Sequence, residues 1–302
     1  MSVNLDLHHR SRLPAPLALL ELVKPITWFP PVWAFACGVV SAGVWTPGDA
    51  GLVLLGLLLA GPVICGMSQA VNDWCDRHVD ALNEPGRPIP SGRVSPAAAL
   101  TMGIVMSILG LLLAWTLGAW VFAATCVAVA GAWAYSAPPI RLKRDGWWGP
   151  MLVALCYEGL PWFTGAAAML GAAPGFHIIL AALLYAIGAQ GIMVLNDFKA
   201  IEGDRAMGIR SLPAVKGPDV AARLACTVMI LPQAILVVML LVWGRPFAAA
   251  TIGALILAQA VLMRRFLARP VERATWYSGF GVPIYVAGMM VTAFAIRGLG
   301  VA

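Results

Sequence analysis

A chain of 302 residues that is 61% hydrophobic and only 11% charged cannot have water as its sole solvent, since soluble domains carry about 25% charged residues. The net charge of +6 does not point to nucleic acid, because the basic residues gather on one side of a membrane when alternate connections are counted. Closed β-barrels are excluded as well: runs such as Leu52 to Ala60 and Ile104 to Leu113 do not alternate.

The first 26 residues hold charges and two histidines without an apolar core ending in a small-residue cleavage site. They read as a cytoplasmic lead, with no removable signal or transit peptide expected. A hydrocarbon core about 30 Å thick needs roughly 20 apolar residues per helix. Nine such stretches follow, near 27–45, 51–71, 97–117, 119–136, 149–171, 176–196, 219–241, 246–267 and 279–297. Short breaks at Gly118 and at Gly171 to Gly175 make tight outer hairpins. Prolines at 25, 30, 31, 62, 150, 161, 232 and 283 kink helices or open a cavity between them. Trp28, Trp33, Trp147, Trp148, Trp162 and Trp276 read mostly as interfacial anchors. The six cysteines lie singly and read as free thiols, with no His or Cys at metal-ligand spacing.

One side of the membrane collects 18 of the 20 Lys and Arg, leaving only Arg245 and Arg297 on the other. This bias predicts a cytoplasmic N terminus and, with an odd number of spans, a C terminus on the opposite side. The expected fold is therefore all-α: a polytopic membrane bundle of about nine helices, one membrane domain over 1–302. The two long cytoplasmic loops, 72–96 and 197–218, hold half of the acidic residues and are the place to seek function.

The first loop opens Asn72-Asp73-Trp74-Cys75-Asp76-Arg77-His78-Val79-Asp80. On a continuing helix Asn72, Asp76 and Asp80 drift by only about 40° per step and share a face, with Asp73 close by. Carboxylates one turn apart repel unless a cation neutralises them. Oxygen ligands without His or Cys suit Mg²⁺, which takes one or two carboxylates, waters and substrate phosphates. The plain alternative is a solvated acidic face.

Shifting by 124 residues lays Asn196-Asp197-Phe198-Lys199-Ala200-Ile201-Glu202-Gly203-Asp204 on the first segment, matching Asn72 with Asn196, Asp73 with Asp197 and Asp80 with Asp204. Asp76 faces Ala200. Four spans separate the copies, so a parallel repeat of two related four-helix halves is expected, with both acidic segments at one face. Asp197 and Asp204 share a helical face, with Gly203 as the residue expected to break that helix. The two half-sites should be unequal, the first better furnished. Of the bases around them, Arg77, Arg93, Lys143, Lys199 and Arg205 are the candidates for clamping diphosphate, among Arg87, Arg141 and Arg144.

Two cytoplasmic Asp-rich loops in a nine-helix membrane protein resemble the UbiA superfamily of intramembrane prenyltransferases. The run from Asn72 to Arg93, Tyr135-Ser-Ala-Pro-Pro-Ile-Arg-Leu-Lys143, Tyr157-Glu-Gly-Leu-Pro-Trp162 and the run from Asn196 to Arg205 are similar to its chlorophyll synthase branch. Without a plastid transit segment, the resemblance lies nearest the members from phototrophic bacteria. It implies esterification of the propionate of (bacterio)chlorophyllide with a geranylgeranyl or phytyl group from the diphosphate, in the cell inner (photosynthetic) membrane, with pigment-pathway or photosystem-assembly partners. It further implies one Mg²⁺ on Asn72, Asp76 and Asp80 and another on Asp197 and Asp204, with Asp73 a direct or indirect ligand. Where other members have a middle Asp in the second motif this chain has Ala200, and Glu202 would point about 140° from Asp197 on a helix. Where they pair Tyr with Lys four residues on, Tyr135 is followed by Pro139. A haem or quinone-precursor prenyltransferase and a secondary transporter remain alternatives, though transport acids belong near the midplane rather than at helix ends.

Overall fold

The computed structural model describes residues 16–206 and 208–299, so Arg10, Arg12 and the first fifteen residues of the expected cytoplasmic lead lie outside the described residues. Every regular element among them is helical. In chain order these are α1 (Pro16–Leu22), α2 (Phe29–Ala42), α3 (Ala50–Leu58), α4 (Gly66–Asn83), α5 (Pro96–Leu117), α6 (Ala119–Ser136) and α7 (Trp148–Ala154). Then come α8 (Leu160–Leu170), α9 (Phe176–Asp197), α10 (Ile201–Ala206), α11 (Leu212–Lys216), α12 (Pro218–Val242), α13 (Pro246–Ala268) and α14 (Pro270–Ala295). A π-helical stretch, Leu59–Cys65, joins α3 to α4, and a second, Leu155–Gly159, joins α7 to α8.

The start and stop signals are local. Ser95 accepts the Ala98 N–H at 3.1 Å and Pro96 opens α5. Proline likewise opens α12, α13 and α14, where a missing N–H costs nothing. Gly118, at φ 120, makes the hairpin between α5 and α6 without the strain a side chain would bring.

Eight helical runs among the described residues are long and apolar enough to cross a membrane. The expected span near 149–171 is not among the eight, although Trp148–Leu170 is helical throughout. Its polarity comes from Tyr157 and Glu158, with Gly159 and Gly165 contributing little. These residues turn inward rather than to lipid, so α8 packs closely on α2 and α9 is the most buried of the apolar runs. A Cβ on Gly165 would collide with the Phe35 carbonyl, and one on Gly38 with the Trp162 carbonyl. Trp162, expected among interfacial anchors, is instead fully buried, stacked on Tyr185 and donating to Ser41 Oγ at 3.0 Å. Lipid-facing surfaces stay apolar, as at Phe247, Leu257 and Leu112, which are all exposed.

Candidate active site

α4 runs without interruption through Asn72, Asp76 and Asp80, so the first acidic segment forms the expected ladder along one helix face. Its partner does not. α9 ends at Asp197, residues 198–200 make a turn, and α10 restarts at Ile201. The break therefore precedes Gly203, which sits inside α10. Phe198 opens the turn, its ring buried and 5.6 Å between centroids from that of Phe266. The turn still brings Asp204 beside Asp197 at the same cavity.

That cavity has a volume of about 720 Å³ and lies between the two copies. Asn72, Asp76, Asp80, Asn196, Asp197 and Asp204 line one end, together with Arg87, Arg141, Lys143 and Arg144. The other end is formed by Pro30, Leu152, Val153, Cys156 and Met193, with Thr27, Ser68, Gln69 and Tyr157 among its polar members.

In the first half-site protein cations already meet the acids. Asp76 accepts from Arg141 Nη2 at 2.9 Å and from Lys143 Nζ at 2.5 Å. Lys143 also donates to Asn72 Oδ1 at 3.0 Å, and Arg87 Nη1 donates to Asp80 Oδ2 at 2.9 Å. Burial pushes the Lys143 ammonium below its ordinary range, and Asp76 opposes that shift. In the second half-site the side chains of Asp197 and Asp204 form no hydrogen bond or ion pair among the described residues, although Asp204 is buried.

Asp73 faces away from this cavity. It is buried, it accepts from Lys24 Nζ at 2.6 Å, and Arg87 Nη1 lies 3.5 Å from the same oxygen. Arg77 stacks on Trp74, 4.8 Å from the ring centroid, and Arg93 pairs with Glu21. Lys199 is exposed, and Arg205 reaches the Ala214 carbonyl at 3.3 Å. Of the five diphosphate candidates only Lys143 lines the cavity. Arg141, Arg144 and Arg87 line it without having been singled out. Arg141 lies in the Tyr135 to Lys143 run, Arg144 is the residue after it, and Arg87 lies in the Asn72 to Arg93 run. Arg141, two residues after the paired prolines, holds left-handed backbone at φ 44 and reaches Asp76.

The loops that close this end are held to each other. Arg210 N–H donates to the Arg144 carbonyl at 3.2 Å, forming an isolated parallel bridge between Asp145 and Arg210. Asp145 accepts the Trp147 and Trp148 N–H groups at 2.9 and 2.8 Å, which holds its carboxyl below the usual range.

Among the described residues no three His, Cys, Asp or Glu side chains converge into a protein-only metal cage. The donors at the cavity are hard amide and carboxylate oxygens, which fit Mg²⁺: that ion takes one or two carboxylates and leaves its other positions to water and phosphate.

A helical membrane bundle with two acidic segments at one end of an amphipathic cavity defines a class of membrane enzyme that handles a polar head on an apolar tail. Residues 28–295 match the UbiA prenyltransferase family, and the chain belongs to it. It is 61% identical over 301 residues to the bacteriochlorophyll synthase 33 kDa chain of Cereibacter sphaeroides, covering 100% of this chain and 99% of that one. It is 38% identical over 286 residues to the chloroplastic chlorophyll synthase of Arabidopsis thaliana, covering 91% of this chain and 73% of the plant protein. The fold is also that of a UbiA homologue from Archaeoglobus fulgidus solved with GPP and Mg²⁺, at a TM-score of 0.62 and 20% identity over 93% of this chain and 100% of that one.

Proposed function

We propose that this chain esterifies the propionate carboxylate of (bacterio)chlorophyllide with a geranylgeranyl or phytyl group from the corresponding diphosphate, at the cytoplasmic face of the inner, photosynthetic membrane. One observation carries the reading: a cavity of about 720 Å³, acid- and cation-lined at one end and apolar at the other, in a chain 61% identical to a bacteriochlorophyll synthase. The whole chain acts as one membrane domain, its N terminus cytoplasmic and its C terminus opposite. The GPP and Mg²⁺ of the Archaeoglobus fulgidus homologue are the precedent for the donor and the cofactor.

Asn72, Asp76 and Asp80 on α4 and Asp197 and Asp204 beyond α9 would hold Mg²⁺, which supplies charge neutralisation for the leaving diphosphate. Lys143, Arg141, Arg144 and Arg87 face the same space and bind the remaining phosphate charge. Arg141 and Lys143 exchange a carboxylate for phosphate as the donor enters, which keeps Asp76 neutralised in either condition. The acceptor propionate is ionised near neutral pH, since carboxylic acids titrate near about 4, so no general base is required. Apolar walls at the far end seat the chain and macrocycle and keep water from the allylic cation.

The test is prenyl transfer by membrane-embedded protein with and without Mg²⁺. Asp76→Ala and Asp197→Ala each abolish metal-dependent ester formation on this reading; full activity in either would remove that residue from the metal site.

A further inference from the structure

The α4 face that carries Asp80, Asp76 and Asn72 continues inward to Gln69. At about 1.5 Å per residue, Gln69 lies roughly 4.5 Å deeper in the bundle than Asn72. Gln69 Nε2 donates to Tyr157 Oη at 2.8 Å, and Cys65 Sγ lies 3.4 Å from that oxygen. Both Gln69 and Tyr157 line the cavity. Two π-helical stretches create the meeting: Leu59–Cys65, wound about Pro62, ends at Cys65, and Leu155–Gly159 carries Tyr157. A π turn re-aims side chains and recurs at functional sites. Here it sends Tyr157 to the cavity while Glu158 is buried behind it. The Gln69 carboxamide makes no other hydrogen bond among the described residues, so one N–H and its carbonyl are left for a guest. Arg87, Arg141 and Lys143 are engaged higher up the ladder, at Asp80, Asp76 and Asn72.

We infer that Gln69 and Tyr157 receive the acceptor's carboxylate and hold it against the first carbon of the prenyl chain. The inference rests on the function proposed above and deepens it. With diphosphate held between Asn72 and Asp80, the carbon bonded to it projects one rung inward, to the level of this pair. One carboxylate oxygen forms the new carbon–oxygen bond there as the bond from that carbon to the diphosphate oxygen breaks. The breaking bond's electron pair leaves with the diphosphate, and no proton is transferred. Neutral donors suit the task. A lysine or arginine at this depth would blunt the nucleophile and repel the developing cation, whereas an amide and a phenol orient the carboxylate without adding charge.

The experiment uses the full chain in lipid bilayers with chlorophyllide, geranylgeranyl diphosphate and Mg²⁺, reading both the ester and free geranylgeraniol. Gln69→Leu and Tyr157→Phe should each lower the ester-to-alcohol ratio by about a hundredfold, the scale of a misplaced reactant, and raise the KM for chlorophyllide. Gln69→Glu, which keeps the shape and adds a like charge, should be as defective as Gln69→Leu. A merely structural role lowers both products together, so a wild-type ratio and KM in both Gln69→Leu and Tyr157→Phe overturns the assignment. Should the wild type yield ester while these variants keep its ratio, the assignment of Gln69 and Tyr157 alone falls. Should the wild type yield no ester from any tetrapyrrole carboxylate, the acceptor class itself is wrong and the inference falls with it.

Discussion

Lys24 holds left-handed backbone, φ 44, and from there reaches across to the buried Asp73. In the sequence repeat Asp73 matches Asp197, yet the two part company in space: Asp73 is tied to Lys24 and Arg87, while Asp197 lines the cavity. Nothing local to Asp73 announces this, because its partner lies 49 residues earlier in the chain. Asp73→Asn should therefore lower thermal stability, by about 1–3 kcal/mol for a charged hydrogen bond lost from a buried acceptor, while the Mg²⁺ requirement persists. Thermal unfolding in lipid beside an Mg²⁺ titration checks both halves. Asp145 carries a pH dependence of known sign. Its folded carboxyl is depressed by the Trp148 and Trp147 N–H groups, so the stabilisation is present above the ordinary carboxylate pKa and is lost as pH falls through the depressed value. The protection of amides at the start of α7, corrected for intrinsic exchange at each pH, should fall on acidification in the wild type; Asp145→Asn, whose amide oxygen still accepts the N–H groups, should remove that fall. Residue type and spacing made Asn72, Asp76, Asp80, Asp197 and Asp204 legible; the choice among twenty basic residues was not, because positive-inside bias supplies the same residues for topology.

At the scale of elements, the unbroken first acidic helix could be read from the sequence because no helix breaker intervenes between Gly66 and Asn83. The break in the second copy falls at Phe198 to Ala200 rather than at Gly203, because a glycine's helix penalty of about 1 kcal/mol is too small to end a helix by itself. The same priority of packing governs the crossing of α2 and α8, where Gly38 and Gly165 bring backbones into contact. Gly165→Val should separate these helices and lower the unfolding temperature, whereas Gly253→Ala, at an open position, should leave it near wild type. A polar link in α12 and α13 offers a cleaner measurement. Gln233 and Gln259 are both buried and donate to each other's side-chain carbonyls at 3.2 and 3.0 Å. Either Gln→Leu change alone should cost about 1 kcal/mol, and the double change less than the sum, because no amide is then left unpaired. A double-mutant cycle in lipid reads that difference.

Over the whole molecule, composition was enough to place the chain in a membrane, and helix ends were enough to bring both acidic segments to one cavity. Hydropathy served less well for Trp148–Leu170. That run buries Glu158 and Trp162 inside the bundle and so falls short of the apolarity of a lipid-facing span. The same run carries Tyr157 to the cavity, beside Gln69. The proposed function stands or falls on the identity of the transferred group and its acceptor. Its most direct test is product mass after incubating the membrane-embedded chain and Mg²⁺ with geranylgeranyl and phytyl diphosphates against chlorophyllide, bacteriochlorophyllide, haem and 4-hydroxybenzoate. A prenyl ester of a chlorophyllide, absent when Mg²⁺ is chelated, is the predicted result; a prenylated haem or benzoate with no chlorophyllide ester would contradict it.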